Sequence, residues 1–195
     1  MKISRIRSQI LVMPQADPLA NTPEDASAAR PIVIVRLDTD DGIEGIGVTF
    51  YGGAITSSLK RAVDDLGALL IGEDPLRIES IIAKLRAAAG GSGPAGMFTL
   101  ALSAIDIALW DIRGKALGQP LWKLLGGARQ RVPTYASGAL RRNLSLDEVV
   151  AAAGRLKDRG FREMKTQLAL PATPRPPRRS SACGGCGKRS APTSN

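Results

Sequence analysis

The sequence predicts an α+β fold: a three-stranded antiparallel sheet with helices packed behind it, followed by one βαβ unit of a parallel sheet or barrel. Three observations carry this. Two β-branched runs flank a turn sequence near residue 40. Three stretches with helical apolar spacing follow between residues 55 and 115. After Gly127 the pattern changes to strand, capped helix, strand.

Residues 2–13 mix Ile, Leu and Val with Arg and Ser, as a half-exposed strand does. Residues 14–30 hold three prolines among small polar residues and read as a long surface loop. Ile32–Asp38 is a β-branched strand, Thr39-Asp40-Asp41-Gly42 a turn, and Ile43–Phe50 the returning strand of a hairpin. Ile55, Leu59, Val63, Leu66 and Leu70 lie on one helical face, and Gly72 can stop that helix. Asp74-Pro75 offers an N-cap and first-turn pair for a second helix that ends at Gly90. Phe98, Ala101, Leu102, Ile105, Leu109 and Ile112 form the stripe of a third, stopped by the sequence around Gly118 and Pro120. Val132–Gly138 is expected as a strand. Ser145–Glu148 is a capping box with Leu144 and Val149 as its staple, its helix runs to Gly160, and residues 161–170 alternate as the closing strand.

Composition narrows the chemistry. There are 27 Lys and Arg against 18 Asp and Glu, a net charge of +9, and no His. Imidazole catalysis and His-ligated metals are excluded. Five of the basic residues, none of the acids and both cysteines lie in 171–195, which leaves +4 for residues 1–170. That tail has no large apolar residue and is expected to be a disordered basic segment. Its Cys183-Gly-Gly-Cys186 lacks the further ligands that a zinc site needs. The 4% aromatic content argues against base stacking, so no specific nucleic acid is expected. No apolar run is long enough to span a bilayer, and a cysteine-free body suits a reducing, cytoplasmic compartment. The glycines of 90–96 lack the Lys-Ser/Thr ending of a phosphate loop and read as an interhelix connection. Asp106 and Asp111, within the third helix, are expected to be structural.

The run Ala101–Lys115, then Pro120-Leu121 and Leu124-Leu125-Gly126, resembles the signature of the mandelate racemase/muconate lactonizing enzyme family of the enolase superfamily. The resemblance covers about residues 1–170 and implies an enolase-like capping domain over 1–127, a TIM-like barrel begun but incomplete over 128–170, and the tail beyond. It further implies Mg²⁺ held by carboxylates at later barrel strands, removal of the proton α to a carboxylate, and acid-sugar dehydratase or racemase chemistry on a small carboxylate substrate. Homo-oligomers are common in such a family. Lys165 matches the first lysine of the family's Lys-x-Lys, and Gln167 stands where the second, the usual base, would be. Loop 14–30 and the turn at Phe50-Tyr51 match the two loops that close over substrate. The expectation is thus an inactive fragment of such an enzyme, truncated or frameshifted after about residue 170, with no metal site of its own. The alternative is a non-catalytic interaction protein whose basic tail recruits a partner.

Overall fold

The computed structural model describes residues 1–13, 20, 30–93, 95–142 and 144–167. The chain begins with β1 (Ile3–Met13), β2 (Arg30–Thr39) and β3 (Glu44–Thr49), a meander in the order β1-β2-β3 with both pairs antiparallel. One sheet face turns Val33, Val35 and Leu37 inward, every second residue of β2. Against it pack α1 (Thr56–Ala68), α2 (Ile78–Ala89) and α3 (Gly96–Ala116). The expected sheet and three helices are therefore present, in the expected order.

The signature run forms α3, the central helix of this layer. Ile105, Leu109 and Ile112 are fully buried, each contributing about 1.5–3 kcal/mol relative to exposure. Ala104 and Ala108 face β3, where Gly45 and Gly47 stand opposite them. A Cβ on Gly47 would overlap the Ala104 carbonyl, and one on Gly45 would overlap that of Ala108. The glycines of the hairpin are thus a surface of close backbone approach. Asp111 fastens the same contact: its Oδ2 accepts the Ile46 backbone N–H at 2.8 Å and the Lys115 ammonium at 2.8 Å. Lys115 also donates to the Glu44 carbonyl at 2.7 Å. The structural role expected of Asp111 is the one it has.

Three boundaries differ from expectation. Asp74-Pro75 does not start α2. Leu76 N–H donates to Asp74 Oδ1 at 3.0 Å and Arg77 N–H to the Asp74 carbonyl at 3.0 Å, so the pair closes a turn and the helix begins at Ile78. The residues that cap a helix also favour a turn, with Pro at its second position. The strand expected at 132–138 is β4, Ala136–Leu140, because Pro133 has no N–H for a ladder. The closing strand is β5, Met164–Thr166, and residues 168–170 lie outside the described ones. A short helix, α4 (Leu121–Leu124), follows Pro120.

β4 and β5 pair in parallel, joined by α5 (Leu146–Asp158). The capping box forms: Ser145 N–H donates to Glu148 Oε2 at 2.7 Å, and Glu148 N–H donates to Ser145 Oγ at 3.3 Å. Ala136, Ala139, Leu140, Ala152 and Leu156 make a second buried cluster, separate from the first. Arg30 of the expected loop opens β2 instead; Ala20, the one described residue of 14–29, is buried in that second cluster, and its carbonyl accepts from Arg155 Nε.

Candidate functional site

In parallel sheets, ligands sit beyond the carboxyl ends of the strands. Here those ends carry Arg141 and Arg142 after β4 and Lys165, Thr166 and Gln167 on and after β5. Gln167 N–H donates to the Leu140 carbonyl at 3.1 Å and so continues the parallel ladder. Lys165 and Gln167, two residues apart, share one sheet face.

Lys165 is exposed, and no described side chain hydrogen bonds or ion pairs with it. It borders an open groove with Tyr135, Glu163, Met164 and Thr166. Gln167 is engaged: its Oε1 accepts the Arg142 backbone N–H at 3.2 Å and the Arg142 Nε–H at 3.1 Å. A carboxamide is no proton acceptor for carbon acids. Here it orients a guanidinium instead. Sequence reading passed over Arg142, whose only signal was an Arg-Arg pair directly after a strand.

Phe50 and Tyr51 leave β3 and enter a 3-10 turn at Gly53–Ile55. Their rings lie 4.2 Å apart at 36°. Tyr51 has φ 71°, the one non-glycine positive φ among the described residues, and its side chain stands out in solvent. Such a conformation in a bulky residue costs on the order of 1–3 kcal/mol and gathers at functional sites. Of the two expected substrate loops, the first reaches the β4–α5–β5 unit through Ala20. The groove beside Lys165 is lined by neither Phe50 nor Tyr51 of the second. The rest of the first loop, Cys183, Cys186 and the basic tail lie outside the described residues.

Among the described residues no three Asp, Glu, Cys or His side chains come together as metal ligands. These donors do not fit a Mg²⁺ site. Among the described residues, no helix is long and apolar enough to cross a membrane.

Known proteins supply the frame for this geometry. The chain is 34% identical over 173 residues to the 3,6-anhydro-alpha-L-galactonate cycloisomerase of Streptomyces coelicolor, covering 87% of this chain and 47% of that protein. It is 30% identical over 175 residues to the L-talarate/galactarate dehydratase of Salmonella typhimurium, covering 87% and 44%. The crystal structure of that dehydratase liganded with Mg and L-lyxarohydroxamate matches with a TM-score of 0.77 at 29% identity, over 88% of this chain and 45% of that one. A racemase from Streptomyces coelicolor A3(2) with bound magnesium matches with a TM-score of 0.69 at 33% identity, over 84% and 46%. The chain thus spans less than half the length of these relatives. The family model described as the mandelate racemase/muconate lactonizing enzyme N-terminal domain matches residues 8–126, more than half of the chain. With its signature helix packed on a three-stranded meander, the chain belongs to the mandelate racemase/muconate lactonizing enzyme family.

Proposed function

We propose that this chain is the capping domain, residues 1–127, and the barrel start, residues 128–170, of an acid-sugar dehydratase or racemase, and that the chain alone does not turn over. The observation that carries this is the pair Lys165 and Gln167: an exposed cation at an open groove, and two residues on a carboxamide held by Arg142 in place of a base. The activities in the relatives' names, dehydratase on L-talarate or galactarate and cycloisomerase on a galactonate derivative, support an acid-sugar substrate class. In this reading Lys165 neutralises the substrate carboxylate, and Phe50 and Tyr51 shape the cap side of the pocket. When bound, Mg²⁺ supplies charge stabilisation for proton loss next to a carboxylate, from ligands that the described residues do not provide.

The test is a dehydration and α-proton exchange screen of the purified chain against galactarate, talarate and galactonate in deuterated buffer with Mg²⁺. No product and no deuterium incorporation is expected. Turnover that disappears in Lys165→Ala would overturn the inactivity.

A further inference from the structure

Residues 128–167 carry nine Lys and Arg against four Asp and Glu, while residues 1–127 carry 13 against 14. The excess of cations outside the tail therefore belongs to the β4–α5–β5 unit, and a positive field there attracts small anions. Arg142 follows β4, and Lys165 lies in β5, at the carboxyl ends of the two parallel strands. Neither forms an ion pair among the described residues. Glu163, two residues before Lys165 on the same sheet face, lies on the side away from Gln167. Gln167 decides what Arg142 offers. Its Oε1 accepts both the backbone N–H and the Nε–H of Arg142, at 3.2 and 3.1 Å. With Nε so occupied, the outer edge of the guanidinium, Nη1 and Nη2, keeps a parallel pair of N–H groups for a carboxylate. The same two bonds fix the carboxamide and leave its NH₂ group as a further donor. Lys165, Arg142 and this amide thus present donors only, which selects a ligand group that only accepts.

We propose that Lys165 and Arg142 form a two-point anion site, in which Lys165 takes one carboxylate, Arg142 takes a second, and Gln167 is the positioning residue that aims Arg142. The ligand class is then a six-carbon sugar acid with a carboxylate at each end, not its monocarboxylate counterpart. This rests on the reading of Lys165 as the partner of a substrate carboxylate, and Arg142 adds the choice between the two kinds of acid. The spacing fits. Two residues of strand separate Lys165 from the Gln167–Arg142 pair, about 6.6 Å along the strand. Six carbons in an extended chain, joined by bonds of about 1.5 Å, set the two carboxyl carbons about 6 Å apart. A monocarboxylate would leave the Arg142 fork facing a hydroxyl, which cannot return its bidentate, charge-assisted pair of bonds.

The full chain is to be titrated with D-glucarate and D-gluconate, which differ only in a carboxylate in place of a terminal hydroxymethyl, while the amide signals of Arg142 and Gln167 are followed by ¹⁵N NMR. Glucarate is expected to bind about fivefold tighter, the most that one water-exposed ion pair contributes. Malonate, equally charged but too short to span the two cations, should bind no tighter than gluconate. Arg142→Gln should bring glucarate to the gluconate value and leave gluconate unchanged. Gln167→Ala keeps every charge yet should reduce the preference, which a merely basic surface would not show. Lys165→Gln should weaken both sugar acids. All three substitutions fall on exposed side chains, and circular dichroism checks that each variant is folded. Equal binding of glucarate and gluconate, malonate as tight as glucarate, or a preference that survives Arg142→Gln overturns the two-point site while the role of Lys165 stands. Gluconate binding that is absent, or indifferent to Lys165→Gln, overturns that role and the two-point site with it.

Discussion

Gly47 and Ala104 touch backbone to backbone, and that contact limits which side chains β3 can carry. Gly47→Ala places a methyl on the Ala104 carbonyl and should lower unfolding free energy by about 3 kcal/mol, read by urea denaturation. An exposed neighbour such as Ile46→Ala should cost far less. The sequence displayed Gly45 and Gly47 openly but not their use, because the partner carbonyls lie about 60 residues on. Asp111 was legible as structural from its place in the signature helix. Arg142 was not, since its bond to Gln167 needs the register of two strands joined by a helix. Gln167→Lys supplies the lysine that the resemblance leads one to expect at this position, yet removes the acceptor that holds Arg142 and adds a cation beside it. The Arg142 Nε–H signal should then shift and broaden in ¹⁵N NMR, with no gain of turnover. An unchanged signal would show that Gln167 does not hold the guanidinium.

Helix α5 shows how local a legible signal is. Its capping box reads directly off Ser145-Leu146-Asp147-Glu148 and forms as written. Asp74-Pro75 carried a similar signal and made a turn, because the choice between turn and helix depends on the residues after it. Arg77 takes φ −89° and ψ 54° there, outside the helical region. The Ser145 backbone N–H and hydroxyl hold the Glu148 carboxyl below its ordinary value of 4.5. A carboxyl lowered by folding stabilises the helix above its unfolded pKa and loses that contribution as pH falls through the folded value. Helical ¹³C shifts at Leu146–Val149 should therefore decline on acidification below about pH 4.5 in the native chain but not in Glu148→Gln. Ser145→Ala should cost about 1 kcal/mol of local stability at neutral pH.

At the scale of the whole molecule, the described residues form two buried clusters, and the sequence already marked the change of pattern between them at Gly127. What it did not show is how the Phe50-Tyr51 turn lies relative to Lys165, since local periodicity carries no information about placement across so long a stretch of chain. Both tryptophans, Trp110 and Trp122, belong to the first part of the chain. Ile105→Ala should lower the stability reported by tryptophan fluorescence by about 2–5 kcal/mol. Leu156→Ala, in the second cluster, should leave that transition in place and move only the loss of α5 signals. Coincident shifts would mean that the clusters unfold as one unit. Asp111 and Lys115, described above as the fastening of α3 to β3, also decide where foreign strands can attach. They occupy the Ile46 N–H and the Glu44 carbonyl, groups that an added β-strand would need. Among the described residues, β5 has β4 on one side and no strand on the other. Aggregation by strand addition is therefore steered away from the β3 edge of the glycine-lined hairpin and toward the short Met164–Thr166 segment.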